Sequence, residues 1–246
     1  MTSIPALILA AGRGERMRPL TDTTPKPLLD VRGKPLMQWH MEALARGGCT
    51  DIVVNTAWLG GQISSHFGLQ RTVDERSALS ISYSDEQADF GGALETAGGI
   101  ARALPLLQVG GHDTFWLVAG DVYAPDFVFD PAAVQRFAAS GALAHLWLVP
   151  NPAHNPRGDF GISSAGLALN QSDGERYTYS TIGLYRAALF AEPFCAIPQG
   201  NPAGIKAPLA PLLRRAMDAG RVSASLYSGR WTDVGTPQRL QALNAG

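Results

Sequence analysis

Apolar residues in this chain gather in short runs, each followed by a stretch in which they recur at helical spacing. The runs at 6–10, 51–55, 79–83, 115–119 and 143–149 read as buried strands. The stretches at 35–46, 58–67, 96–107 and 131–139 read as helices between them. Strand alternating with helix predicts an α/β protein, a three-layer sandwich whose sheet is covered by helices on both faces. Right-handed crossovers then place the carboxyl ends of the parallel strands along one edge, where ligands bind in open α/β sheets. Gly12, Asn55 and Asp121 close three of the runs and are expected at one crevice on that edge. The second half changes character. Residues 160–169 and 177–184 read as antiparallel strands around a turn at Gly174, and 205–219 as a helix. Strands at 222–226 and 231–234 would close the sheet, which is therefore mixed but predominantly parallel. No linker or internal repeat divides the chain, so one unit is expected over residues 1–246.

Composition narrows the class. With 246 residues, 46% of them hydrophobic and 17% charged, the chain can bury roughly three quarters of its unfolded surface, enough for one sizeable core. No apolar run approaches the ~20 residues that span a bilayer. The start Met1-Thr2-Ser3-Ile4-Pro5 has no charged leader region, so neither a membrane partner nor secretion is expected. A formal net charge of −1 argues against a surface built for nucleic acid. Cys49 and Cys195 lie outside any metal or redox spacing, as reduced cysteines of a cytoplasmic protein do. The five histidines form no metal spacing either.

Charge matters locally. Between residues 13 and 34 stand six basic and three acidic side chains, and two of the three lysines of the chain, Lys26 and Lys34, are among them. This cluster surrounds the turn Ala11-Gly12-Arg13-Gly14 after the first strand. Small residues there let backbone N–H groups approach an anion, while Arg13, Arg16, Arg18 and Lys26 add fixed cations, an environment suited to a polyphosphate. A P-loop is excluded, because Met17 stands where its second glycine belongs and no Lys-Ser/Thr follows. The dinucleotide fingerprint fails at the same methionine.

Residues 9–28, Leu-Ala-Ala-Gly-Arg-Gly-Glu-Arg-Met-Arg-Pro-Leu-Thr-Asp-Thr-Thr-Pro-Lys-Pro-Leu, resemble the signature of the sugar-phosphate nucleotidyltransferases. The similarity runs from Ala6 to about Leu243. It implies the Rossmann-like nucleotide-diphospho-sugar transferase fold, with a nucleotide-binding half to about residue 140 and a sugar-binding half from about 141. It also implies the reaction, in which a sugar 1-phosphate oxygen attacks the α-phosphorus of a nucleoside triphosphate and pyrophosphate leaves. The nucleophile is already an anion, so the protein must supply positioning and charge neutralisation rather than a general base. By this resemblance Arg16 and Lys26 stabilise the transferring phosphates. Ala11, Gly12, Arg13, Gly14 and Lys26 hold the nucleotide, with Glu95 and Gly98 of Glu95-Thr96-Ala97-Gly98-Gly99-Ile100 beside the base and ribose.

Asp121 closes the apolar strand of Phe-Trp-Leu-Val-Ala-Gly-Asp, and Asp233 lies in Trp-Thr-Asp-Val-Gly-Thr, where the family places a second metal-binding aspartate. Together they are expected to bind Mg²⁺. Asp233 also precedes Thr236-Pro237, a good N-cap and first-turn pair. Asn151, Gly158 and Asp159 match the region that meets the sugar, Lys206 opens the predicted helix as a candidate for the sugar phosphate, and His154 reads as a loop histidine. The segment Ser172-Asp173-Gly174-Glu175-Arg176-Tyr177 lacks the Glu-Lys-Pro of many hexose-1-phosphate enzymes. That departure favours the members that join UTP to N-acetylmuramic acid 1-phosphate in cell-wall recycling, although Ala119 replaces their usual asparagine. A guanylyl enzyme acting on mannose 1-phosphate, a thymidylyl enzyme and a noncatalytic nucleotide-sugar sensor are the alternatives. The sensor reading predicts loss of Arg16, Lys26, Asp121 or Asp233, all of which are present. No obligate protein partner is implied.

Overall fold

The computed structural model describes residues 3–74, 77–172 and 174–245, so Met1 and Thr2 of the leader reading and Asp173 of the Glu-Lys-Pro comparison lie outside the described residues. The first part of the chain forms β1 (Ala6–Ala10), α1 (Leu20–Thr23), β2 (Asp30–Val31), β3 (Lys34–Pro35), α2 (Leu36–Arg46), β4 (Asp51–Thr56) and α3 (Gly60–Phe67). Then come β5 (Gln70–Asp74), β6 (Ser77–Asp85), α4 (Glu86–Phe90), α5 (Glu95–Leu107), β7 (Thr114–Ala119), β8 (Val122–Tyr123) and α6 (Pro131–Ala139). The last part holds β9 (Ala144–Val149), β10 (Phe160–Ile162), β11 (Ala168–Leu169) and β12 (Arg176–Arg186). It ends with α7 (Leu209–Asp218), β13 (Val222–Leu226), β14 (Thr232–Asp233) and α8 (Pro237–Ala245).

Ten strands make one sheet in the order β11-β10-β12-β7-β1-β4-β6-β5, with β9 paired to both β12 and β13. Strands β7, β1, β4 and β6 run parallel, and β12 joins β7 antiparallel. This is the mixed, mostly parallel sheet that the hydrophobic runs predict. Side chains alternate across it as strand geometry requires. On β1, Ala6, Ile8 and Ala10 face a core shared with Met37, Met41 and Leu44 of α2, while Leu7 faces Ile100, Leu104 and Leu213 of α5 and α7. Strands β1, β4 and β7 are buried on both faces, which explains why their runs are continuous, whereas β6 alternates, with Leu79 and Ile81 buried and Ser80 and Ser82 exposed.

Three predicted elements need correction. Residues 160–169 are not one strand but the hairpin β10–β11, because the chain reverses at Gly166, whose φ of +76° suits glycine. The helix expected over 205–219 begins only at Leu209. Residues 205–208 run as an extended strap whose Ala207 carbonyl accepts from the N–H groups of Ala97 (2.8 Å) and Gly98 (3.2 Å) at the start of α5. Pro208 disfavours helical backbone at Ala207, so Lys206 sits on this strap and opens no helix. The strand at 231–234 does not close the large sheet. It shortens to β14 and pairs with β8 in a separate ribbon, Asp233 opposite Val122. Gly120 makes this possible: its N–H donates to the Leu9 carbonyl at 2.8 Å, and a Cβ there would lie 3.0 Å from the same oxygen.

Two histidines make stability depend on acid. Burial lowers His145 from 6.5 to about 4, with Arg136 adding to the shift, and burial lowers fully enclosed His40 to about 4 against a hydrogen bond to the Val122 carbonyl. Both are therefore neutral in the native state where the unfolded chain takes up protons. Stability is full above pH 6.5 and falls as pH drops toward about 4, by at most about 1.4 kcal/mol per pH unit for each histidine. Urea unfolding of His145→Gln is expected to show a shallower loss between about pH 7 and about pH 5 than the parent protein.

Candidate active site

At the carboxyl end of β1 the backbone is held in place before it turns. Asn55 Oδ1 accepts from the Ala10 N–H at 2.8 Å, and Asn55 Nδ2 donates to Glu86 Oε1 at 2.7 Å. Glu86 Oε2 in turn accepts from the Leu94 N–H at 2.7 Å. This buried chain links the turn after β1 to Glu95, which has a φ of +59° at the start of α5. A non-glycine residue in that region persists only where its surroundings fix it. Burial raises the Glu86 pKa, opposed by the hydrogen bonds from Leu94 and Asn55. Gly99 permits the packing, since a Cβ there would lie 2.4 Å from Glu86 Oε1.

Beyond Ala10 the chain passes Ala11 and Gly12 and reaches Gly14, whose φ of +67° starts a single 3₁₀ turn, Glu15–Met17. Thr21 Oγ1 donates to the Gly14 carbonyl at 2.8 Å, and Met17 is fully buried as the anchor of the turn. Lys26 lies beneath. Its side chain is only 8% exposed, and its Nζ sits 2.7 Å from Asp121 Oδ2 and 4.0 Å from Asp233 Oδ1. The ribbon β8–β14 brings these two carboxylates together, helped by the Val234 N–H donating to the Asp121 carbonyl at 3.0 Å. The other oxygen of Asp233 meets Arg239 Nη1 at 2.8 Å and His154 Nε2 at 3.4 Å. His154, read from sequence as a loop residue, therefore belongs to this cluster.

Two cavities meet here. One of about 320 Å³ is lined by Gly12, Gly14, Arg16, Lys26 and Asp121. The other, about 580 Å³, is lined by Gly12, Ala11, Glu95, Asp121 and Asp159, with further walls from β12 and α7. Gly12 and Asp121 border both. Among the described residues no cluster of three or more His, Cys, Asp or Glu is poised for a metal. The pair Asp121 and Asp233 nevertheless fits a hard cation that takes its remaining ligands from phosphate and water, since Mg²⁺ needs only one or two carboxylates in such sites.

The expected site residues separate on this geometry. Arg16, Lys26, Ala11, Gly12, Gly14, Glu95, Asp121 and Asp159 line the cavities, and Asp233 flanks Lys26. Arg13 stacks 4.2 Å above the Trp58 ring, and Arg18 pairs with Asp22 on the surface. Gly98 is buried against the strap, where a Cβ would lie 2.4 Å from the Ile205 carbonyl. Asn151 uses its side chain on the Arg176 carbonyl (2.9 Å) and Thr178 (3.0 Å), and Gly158 leaves room for it. Neither lines the larger cavity, and Lys206 is exposed outside it. Asp159 faces the cavity with both oxygens engaged, by Asn155 Nδ2 at 3.0 Å and the Tyr179 N–H at 2.8 Å. Arg214 of α7 also lines the larger cavity and escaped the sequence reading.

Residues 5–175 match the nucleotidyl transferase family. The chain belongs to that family. It is 49% identical to an N-acetylmuramate alpha-1-phosphate uridylyltransferase of Neisseria meningitidis over 98% of this chain and 96% of the relative. It is 32% identical to the protein of that name from Caulobacter vibrioides, over 98% and 95% of the two chains. A solved Bacillus anthracis structure described as a glucose-1-phosphate thymidylyltransferase, in complex with sucrose, superimposes with a TM-score of 0.75. It is 25% identical and matches 99% of this chain and 94% of its own. The nucleotidyl transferase family thus accounts for the sheet, for the cation-rich turn after β1 and for a catalytic role in nucleotidyl transfer. No helix among the described residues is long and apolar enough to cross a membrane.

Removing the shared anchor tests the local account. Asn55→Ala strands the Ala10 N–H and one Glu86 oxygen in a buried site, and a loss of about 2–4 kcal/mol in urea unfolding is expected. Unchanged stability would contradict the linkage.

Proposed function

We propose that this nucleotidyl transferase moves a uridylyl group from UTP to N-acetylmuramic acid 1-phosphate, releasing pyrophosphate in a Mg²⁺-dependent reaction of cell-wall recycling. The observation that carries the mechanism is Lys26 between Asp121 and Asp233 at the junction of the two cavities. The near full-length likeness to the uridylyltransferases supports the choice of substrates.

In this reading the smaller cavity takes the triphosphate tail. Arg16 is exposed there without a protein partner among the described residues, free to meet the departing pyrophosphate, and Lys26 supplies charge from below. The larger cavity takes uridine and sugar, with Glu95 at the nucleoside side and Asp159 at the sugar side. The two halves, about 1–140 and about 141–246, then bring one substrate each. The sugar-phosphate oxygen attacks the α-phosphorus and the bond to pyrophosphate breaks in line, so the atoms balance without a proton transfer. Asp121 and Asp233 would hold Mg²⁺, which when bound supplies charge neutralisation between the two anionic substrates. The proposed setting of the reaction is the cytoplasm.

Pyrophosphate release tests the reading across UTP, GTP, dTTP and CTP with the 1-phosphates of N-acetylmuramate, N-acetylglucosamine, mannose and glucose. A clear maximum for UTP with N-acetylmuramate 1-phosphate is expected. A maximum at another pair would replace the substrates, and silence from folded, nucleotide-binding protein would favour a sensor. Asp121→Asn and Asp233→Asn are each expected to lower turnover at least about tenfold without unfolding the protein. Normal Mg²⁺-dependent rates in both would remove the metal assignment.

A further inference from the structure

The two cavities differ in how their charges are used. On the triphosphate side both cations, Arg16 and Lys26, stand close to Asp121 and the glycine turn. In the larger cavity the acidic and basic side chains among the described residues are Glu95, Asp121, Asp159 and a single base, Arg214. Asp121 is paired with Lys26, and Asp159 is satisfied by Asn155 and the Tyr179 N–H. Arg214 makes no hydrogen bond or ion pair among the described residues. Its neighbour Arg215 is committed elsewhere, donating to the Phe194 carbonyl. Ala210 and Leu213 share the cavity wall with Arg214 at the i, i+3, i+4 spacing of one helix face, with Ala210 and Arg214 exposed at its mouth and Leu213 buried behind them.

An unpaired guanidinium at the edge of a mainly apolar wall is placed for an anion, since its planar donor fork matches a carboxylate in two parallel hydrogen bonds. The element that carries it, α7, contributes nothing to the smaller, phosphate-side cavity. The sugar phosphate must reach the junction at Gly12 and Asp121, so a second anionic group on the same substrate is the natural partner for Arg214. N-acetylmuramic acid has such a group: it is N-acetylglucosamine with a lactyl ether on O3, ending in a carboxylate. We infer that Arg214 receives the lactyl carboxylate of the sugar substrate and is the residue that selects the muramyl over the glucosaminyl sugar. This rests on the substrate reading proposed above.

The experiment compares kcat/KM for N-acetylmuramate 1-phosphate and N-acetylglucosamine 1-phosphate, at saturating UTP, in the parent enzyme and in Arg214→Gln and Arg214→Lys. In Arg214→Gln the preference ratio is expected to fall about 30-fold, the size of one charge-assisted pair, mainly through KM for the muramyl substrate. Arg214→Lys keeps the charge but loses the fork, and should fall between. The substrate methylated on its lactyl carboxylate supplies a check that needs no variant: the parent enzyme should handle it about as poorly as Arg214→Gln handles the free acid. An equal loss on both sugars would overturn the inference, because it would assign Arg214 to the shared phosphate or to the fold. A parent preference that survives Arg214→Gln would overturn it alone. A parent enzyme without any preference for the muramyl sugar would overturn the substrate reading, and this inference with it.

Discussion

Lys26 is an ammonium group almost sealed from water, and its two carboxylate neighbours come from 95 and 207 positions away in the chain. A buried charge without partners costs several kcal/mol, and Asp121 and Asp233 together offset that cost at Lys26. That pairing couples three parts of the molecule. The turn after β1 rests on Lys26, since a Cβ at Gly14 would sit 3.4 Å from the lysine Cβ. The end of β7 must turn aside at Gly120 to present Asp121, and β14 must leave the large sheet to present Asp233 beside it. Arg239 then offsets the remaining charge of Asp233, and His154 Nε2 lies 3.4 Å from the same oxygen. In the proposed reaction, this charge-balanced cluster is the one that would rearrange around a polyphosphate and a divalent cation.

A second constraint acts on the opposite side of the turn. Ala10, Asn55, Glu86 and Leu94 form a buried polar chain in which each named contact is a hydrogen bond of 2.7–2.8 Å. In a low-dielectric interior such a chain is rigid when complete and costly when broken. It sets the distance between the phosphate turn and the strained backbone at Glu95. The strap at 205–208 clamps the next turn of α5 from outside, with Asn201 donating to both the Gly98 and Ile205 carbonyls. The glycine turn after β1 and the strained backbone at Glu95 therefore share one scaffold.

Most of the sheet was legible because strands buried on both faces read as near-continuous apolar runs, as β1, β4 and β7 do, while β6 shows the alternation of a strand with one exposed face. The head motif was legible because its small residues and cations follow one another in the order of the family signature, which local sequence alone displays. What stayed hidden depends on contacts across the chain. The strap at 205–208 has helical composition, but Pro208 and the carbonyl of Ala207, taken by α5, hold it extended. The pairing of β14 with β8 follows from Gly120, whose role as a close-approach residue shows only against Leu9. Asn151 and Gly158 lie in the expected loop, yet they support one another and the backbone of β12 rather than lining the cavity. Glu86 sits in a polar stretch that reads as solvated turn, and nothing local marks it as fully buried. Arg214 follows two leucines on an amphipathic helix, where sequence alone cannot tell a solvated arginine from one at a cavity rim.

The central claim is that Asp121 and Asp233 together receive a divalent cation and that Lys26 then serves the phosphates. A crystal structure with Mn²⁺ in place of Mg²⁺ and a non-hydrolysable UTP analogue tests it directly. The account predicts an anomalous peak in contact with both carboxylates and Lys26 Nζ moved onto a phosphate oxygen. A peak remote from both aspartates, with Lys26 still held between them, would contradict it.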